Sequence, residues 1–306
     1  MVDKPILSIC VPTYNRQNKL KSLIETIEFK NDQKVELVIV DDGSEDGTAD
    51  YCKTLKCNFQ LVLTVQKNQG RSSALYNSIK KARGEFIIIM DSDDRFLVGA
   101  INTIINSLVK YERILSEDRV CGLVFNCVDQ KQRIIGKDFN FEGVSNFLKY
   151  RADENVLGDK KEVVKSDLLK SILYKPFPGE PRMPTGIMWN RLARKYDVIT
   201  VNSSLAIKEY LEGGMSSKTR ELRIKSIRST LLYYEEGLFD FGIHYRSVSF
   251  AVRFTANFIR YRLHIKSLDL SFLLQMTFSQ IFIVFLALPV GFVLFLSDIF
   301  YVRRNS

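Results

Sequence analysis

FIIIMDSDDR, residues Phe86 to Arg95, is the stretch on which the fold is decided. Four apolar residues, Ile87 to Met90, run straight into the carboxylates Asp91, Asp93 and Asp94, so the stretch reads as a buried strand that stops in negative charge. Packing gives no reason for such a cluster. A hard divalent cation does, because Asp91 and Asp93, two apart in an irregular turn, reach one ion and leave positions for phosphate oxygens.

Upstream, three more apolar runs end in the same way. Leu7 to Val11 ends in Pro12, Thr13, Tyr14 and Asn15; Val35 to Val40 ends in Asp41, Asp42, Gly43 and Ser44; Phe59 to Val65 ends in the turn from Lys67 to Arg71. Between them, Leu20, Leu23, Ile24 and Ile27 follow helical spacing, and further helices are predicted over Gly47 to Leu55 and Ser72 to Ala82, the last with Gly84 as its C-cap. Four strands alternating with three helices imply an open, mostly parallel, Rossmann-like α/β sheet. Ligands bind such sheets beyond the carboxyl ends of the strands, where the four polar loops would lie.

Beyond residue 95 the alternation loosens. Helices are expected at Ala100 to Tyr111, Val144 to Arg151, Asp167 to Leu173 and Ile187 to Tyr196, and strands at Val120 to Val128 and Asp197 to Val201. Gly158 to Lys161 reads as a charged turn, Lys175 to Pro184 as a Pro-rich loop, and Glu212 to Gly214 as a mobile loop.

The end of the chain differs in kind. On a helix through residues 246–264, Arg246, Arg253, Asn257, Arg260 and His264 fall on one stripe, as on a helix lying on an anionic surface. Phe272 to Leu296 follows without a charge, long enough to cross a bilayer of about 30 Å once. Arg260, Arg262 and Lys266 precede it and Arg303 and Arg304 follow, so both ends prefer the cytosol, and Pro289 with Gly291 would suit the bend of a re-entrant hairpin. A buried core or oligomer helix is the competing reading. The expected division is a catalytic domain over 1–217, with a nucleotide half to about residue 100, and a helical region over 218–306. Within the latter lie a basic amphipathic helix at about 243–266 and a membrane segment at about 272–299.

Bulk properties agree. With 46% apolar and 26% charged residues the 306-residue chain is ordinary for a globular protein. Its net charge of +9 is not spread evenly: residues 1–100 carry 14 basic against 14 acidic residues, and residues 201–306 carry 13 against 8. Beside an apolar segment, a late basic excess points to an anionic membrane surface and not to nucleic acid. Five cysteines, Cys10, Cys52, Cys57, Cys121 and Cys127, form no CxxC pair and read as reduced thiols of a cytosolic body. Met1 to Pro12 lacks a basic segment followed by a long apolar run, so no cleavable signal peptide is expected there.

SICVPTYNR, ELVIVDDGSEDGT and NQGRSSALYNSIKKARGEFIIIMDSDD, in that order and spacing, resemble the family 2 glycosyltransferases of the GT-A fold, which invert the anomeric centre of a nucleotide-diphosphate sugar. The resemblance continues more loosely through GDKKEVVKSDLL and MWNRLARKY to about residue 217, as in bacterial members that build surface polysaccharides. It implies that Pro12, Thr13 and Tyr14 touch the nucleotide and that Asp42, with Asp41 beside it, reads the uracil or ribose. Gly70 and Arg71 would lie near base and diphosphate, with Asp91 and Ser92 against the donor. Asp91 and Asp93 would hold Mn²⁺ or Mg²⁺, Asp93 most directly. The implied partners are a nucleotide-sugar donor, UDP-linked first, and a lipid-linked saccharide acceptor at the cytoplasmic face of a membrane.

An inverting transfer also needs a general base for the acceptor hydroxyl. Relatives of this subgroup carry a stretch like GEKFVPE before the IWNRIA-type helix; here it is GEPRMPT, so Glu180 matches the first acid and Thr185 stands at the second. Threonine is no base at neutral pH. Glu180 is therefore the expected base and Asp159 the reserve, against a reading of Glu180 as a loop carboxylate paired with Arg182. The competing functions are a non-catalytic nucleotide-sugar-binding partner subunit, which Thr185 favours, and a nucleotidyltransferase, which would want a Gly-rich basic loop where Val11 to Arg16 stands.

Overall fold

A computed structural model describes residues 4–28, 35–55, 59–209, 219–239, 247–265 and 276–305. The loop expected at Glu212 to Gly214 lies outside them, as does Cys57. The first half alternates as the apolar runs require: β1 (Leu7–Thr13), α1 (Gln17–Glu25), β2 (Val35–Asp41), α2 (Thr48–Thr54), β3 (Gln60–Val65), α3 (Arg71–Lys81) and β4 (Phe86–Ile89). β5 (Arg95–Phe96), α4 (Ala100–Lys110), α5 (Glu112–Leu115), β6 (Val120–Val128) and β7 (Gly143–Ser145) follow, then β8 (Lys160–Lys165), α6 (Ser166–Ser171), α7 (Gly186–Ala193) and β9 (Asp197–Ile207). Four helices close the chain: α8 (Thr219–Lys225), α9 (Ile227–Phe239), α10 (Val248–His264) and α11 (Phe278–Asn305).

The strands form one nine-stranded sheet in the order β3-β2-β1-β4-β8-β6-β9-β5, with β7 paired to β9. β3, β2, β1 and β4 are parallel, which sets the ends of all four on one edge. β8 is inserted antiparallel between β4 and β6. β1, β2 and β6 are buried at every residue, as strands covered on both faces are, whereas the edge strand β3 is only half-buried. Alternate residues such as Leu7, Ile9 and Val11 pack with Leu20, Leu23, Ile101 and Ile104, while Cys10, Val38 and Ile87 pack with Leu75, Ile79, Met188 and Trp189. Each such Leu or Ile contributes roughly 1.5–3 kcal/mol by leaving water.

Four expectations are corrected. Lys160 and Lys161 do not form a turn: they open β8 and are buried. Their stems line the strand while the ammonium of Lys161 donates to Asp94 (2.7 Å) and that of Lys160 to Asn126 Oδ1 (2.7 Å) and the Lys137 carbonyl (2.6 Å). The helix expected over Val144 to Arg151 is instead the edge strand β7 followed by a wide π turn at Lys149–Asp153. Gly84 is no helix cap, since α3 ends at Lys81; the chain passes so close to β1 there that a Cβ would lie 2.7 Å from the Ser8 amide nitrogen. Finally, α11 runs unbroken through Pro289, and Gly291 serves close packing on α10, where a Cβ would meet the Ala256 carbonyl oxygen at 2.8 Å. The hairpin bend is absent.

Candidate active site

The four polar loops do converge, and hydrogen bonds donated to buried carboxylates hold them together. Asp42, almost fully buried, accepts from Gln66 Nε2 (2.7 Å) and the Gln69 N–H (2.9 Å) on one oxygen and from the Gly70 N–H (2.7 Å) on the other. The acid at the end of β2 thus folds the β3–α3 loop and places Arg71 at the first position of α3, with Gly70 at φ +90° supplying the turn. Asp41 is also buried and bonds the Ser44 hydroxyl and amide. Pro12 is buried in β1, Tyr14 is 44% exposed at its end, and the Thr13 hydroxyl is buried with no hydrogen-bond partner among the described residues.

At the end of β4 every carboxylate of the DSDD turn faces a cation. Asp91 binds the Arg71 guanidinium (Nε 2.9 Å, with a second nitrogen on the same oxygen) and lies 3.5 Å from Lys208 Nζ. Asp93 pairs with Arg16. Asp94, fully buried, takes Lys161 at 2.7 Å and Lys208 at 3.4 Å, and Ser92 between them is buried. Lys208 also lies 3.6 Å from Asp159, so one ammonium at the end of β9 joins the DxD turn to the loop before β8. Burial alone would raise the Asp91 carboxyl, but Arg71, Lys208 and Lys161 outweigh it and hold it well below the usual carboxylate range. Burial would likewise lower Lys208, yet Asp91, Asp94 and Asp159 hold its ammonium charged far above its ordinary value.

The Pro-rich loop closes one side of the site. The Met183 N–H donates to Ser72 Oγ (2.7 Å), and a Cβ on Gly70 would sit 3.2 Å from the Pro181 carbonyl. The Arg182 guanidinium donates to Thr219 Oγ1 of α8 (3.4 Å); burial, then Arg223 and Arg71, press it below its ordinary value, while Asp91 counters them. Glu180 points elsewhere. It is 8% exposed and accepts from the Arg228 N–H (2.8 Å), the Ser229 N–H (2.9 Å), the Ser229 hydroxyl and Arg228 Nε (3.3 Å), which makes it the N-terminal anchor of α9. Its partner is Arg228 and not Arg182. With both oxygens spent on a helix end, Glu180 is not placed to take a proton, whereas Asp159, with a side chain 45% exposed, opens beside the DxD turn. Thr185 stands at the start of α7.

Lys208 and Arg16 were not singled out from the sequence, and Arg182 only as a partner for Glu180. Arg16 lies within SICVPTYNR, but nothing local marks Lys208, whose three carboxylate partners are remote in the chain.

A divalent cation fits part of this donor set. Asp91 and Asp93 offer hard carboxylate oxygens on side chains 29% and 18% exposed, whereas Asp94 is locked by Lys161. Among the described residues no group of three His, Cys, Asp or Glu side chains is arranged to hold a metal, so an ion on Asp91 and Asp93 would need further ligands from elsewhere.

Residues 8–151 match the glycosyl transferase family 2, and the matched stretch contains the three strand-end loops and the DxD turn described above. That stretch is a family 2 glycosyltransferase domain. The GalNAc(5)-diNAcBac-PP-undecaprenol beta-1,3-glucosyltransferase of Campylobacter jejuni is 28% identical over 143 residues, which are 46% of this chain and 44% of that protein. Glycosyltransferase GlyG of Streptococcus pneumoniae is 30% identical over 145 residues, 45% of this chain and 46% of that protein. The family 2 domain thus aligns with under half the length of these two relatives. In shape it resembles S. aureus TarS 1-349 in complex with UDP-GlcNAc, with a TM-score of 0.61 at 17% identity over 93% of this chain and 80% of that one. The mannosyltransferase PcManGT of Pyrobaculum calidifontis, in complex with GDP-Man and Mn²⁺, gives 0.54 at 18% identity over 97% and 88%. At these identities the likeness is one of fold, and the fold is GT-A.

Proposed function

We propose that the chain is a metal-dependent inverting glycosyltransferase. It would move a sugar from a nucleoside-diphosphate donor, UDP-linked first, onto a lipid-linked saccharide at the cytoplasmic face of a membrane, during cell-surface polysaccharide assembly. The observation that carries the reading is the meeting, at the carboxyl edge of the parallel strands, of the family's loops with Asp91 and Asp93 and a ring of cations, Arg71, Lys208 and Arg182. A relative named for an undecaprenol-linked substrate and neighbours in shape crystallised with UDP-GlcNAc and GDP-Man support the substrate classes.

The chemistry is a single displacement. The acceptor oxygen bonds to the anomeric carbon as the bond from that carbon to the β-phosphate oxygen breaks, and the electron pair leaves on the diphosphate. Asp159 takes the acceptor's proton, replacing Glu180 in that role. Arg71, Lys208 and Arg182 stabilise the charge that grows on the diphosphate, in a site dry enough to strengthen each contact. Asp91 and Asp93 would hold Mn²⁺ or Mg²⁺, which when bound supplies Lewis-acid charge against the leaving group.

Thr185 at the position of an acid, together with Glu180 consumed by α9, favours a second reading, a donor-binding partner subunit without turnover. A panel of nucleotide sugars with Mn²⁺ or Mg²⁺ separates the two. Acceptor-dependent release of nucleoside diphosphate is expected; tight donor binding with no release from any donor would establish the partner subunit instead.

A further inference from the structure

Helix α11 is turned inside out. Its buried residues, Gln280, Val284, Ala287, Gly291 and Asp298, are small or polar and spaced three, four or seven apart, with Leu294 and Phe295 half-buried beside them. The opposite stripe, Phe278, Phe282, Phe285, Phe292, Leu296 and Phe300, is exposed, from 39% at Leu296 to 87% at Phe278, and carries no charge until Arg303. From 278 to 300 it is about 33 Å long at 1.5 Å per residue. Of the inward residues Asp298 is the most constrained: it is fully buried and takes Arg220 of α8 (2.6 Å), Arg260 of α10 (2.6 Å) and His264 (3.0 Å). That clamp ties the far end of α11 to α8, the first helix after the catalytic sheet.

We infer that α11 lies in the plane of an anionic lipid monolayer, its phenylalanine stripe among the acyl chains, and does not cross the bilayer. This deepens the membrane placement proposed above and is independent of sugar transfer. Two observations carry it. First, α10 flanks α11 along its length, from Ala256 against Gly291 to Arg260 and His264 against Asp298. If α11 stood upright, α10 would stand beside it and bring the exposed Arg253, one turn before Ala256, level with the middle of the hydrocarbon. Lying flat, the same helices keep the arginines at headgroup depth, and the basic end at Arg303 complements anionic lipid. Second, the exposed apolar arc is too wide for one partner helix. Leu286, Leu288 and Val290 are exposed beside the phenylalanines, more than half the circumference, whereas a helix seam covers a narrow stripe and acyl chains cover any contour.

The test uses the full chain with Cys57 replaced by serine, bound to mixed phosphatidylcholine and phosphatidylglycerol vesicles. Spin labels are placed singly at Phe285, Phe292 and Phe300 through cysteine substitution, and an epitope follows Ser306. The inference expects the same shallow depth for all three labels, the epitope open to antibody on the side of the catalytic domain, and vesicle binding weakened about tenfold or more in F285D/F292D with donor binding unchanged. A depth that passes through the midplane between Phe285 and Phe300, or an epitope shielded across the bilayer, would overturn it. So would absence of vesicle binding together with a concentration-dependent dimer that F285D/F292D abolishes, which would make a second copy the occupant.

Discussion

Replacing Glu180 by glutamine separates a helix anchor from a proton acceptor. In the structure the two carboxylate oxygens accept the Arg228 and Ser229 N–H groups at 2.8 and 2.9 Å, at the first turn of α9. Glutamine keeps one acceptor oxygen and turns an NH₂ toward the other donors, so one charge-assisted bond, roughly 1.5–3 kcal/mol, is lost. The favourable carboxylate at the helix N-terminus goes with it, a further ~0.3–1 kcal/mol. The expected cost is therefore about 2–4 kcal/mol, a fall in Tm of roughly 4–16 °C at about 2–4 °C per kcal/mol. Turnover measured well below that Tm should stay within a few-fold of the parent. Calorimetry and a nucleotide-release assay on the same preparation decide it. An unchanged Tm with turnover reduced by roughly 10²–10⁴, the contribution of a general base, would refute the anchor and restore Glu180 to the chemistry.

Asp159→Asn should give the opposite pattern: turnover down by roughly 10²–10⁴ with donor affinity and Tm nearly unchanged, since the side chain is 45% exposed; equal losses in affinity and turnover would speak for a binding role. Lys208→Met removes a cation 3.4–3.6 Å from three carboxylates. Manganese titration should show it binding Mn²⁺ more tightly, by roughly tenfold if about 1.4 kcal/mol of repulsion is lifted, and weaker or equal binding would contradict the placement. Burial pushes the thiols of Cys10, Cys121 and Cys127 from 9.0 up to about 12. They should resist alkylation at pH 8 until the chain is unfolded. Because their folded values lie above the unfolded one, the stability they contribute is whole below pH 9 and lost as pH rises toward 12, which alkaline melting curves will show.

The parallel half of the sheet was legible because its signals are local. Each strand of the parallel set is an apolar run within one or two residues of its observed bounds, and each ends in the loop that lines the site. What stayed hidden depends on partners far off in the chain. Two lysines before a valine pair look like a surface turn; they make a buried strand only because Asp94, 67 residues away, pairs with the Lys161 ammonium and Asn126, 34 residues away, accepts a hydrogen bond from that of Lys160. Lys208 is invisible for the same reason, lying 117 residues from Asp91. Glu180 reads as an acid in the right place, and its lone pairs are claimed by a helix that starts 47 residues later. Apolarity alone identified α11, but Pro289 and Gly291 suggested a bend where the helix continues through Pro289 and Gly291 lets it pack closely on α10.

The central claim is that this domain makes a new glycosidic bond on a lipid-linked acceptor. It is tested most directly by incubating the full chain with a panel of labelled nucleotide sugars and membranes bearing lipid-linked saccharides, then analysing the extracted lipid. One added sugar of inverted anomeric configuration, formed by the parent and lost in D91N, is the predicted result. Label that remains in the nucleotide, or appears only as free sugar in solution, with donor binding intact, would contradict it.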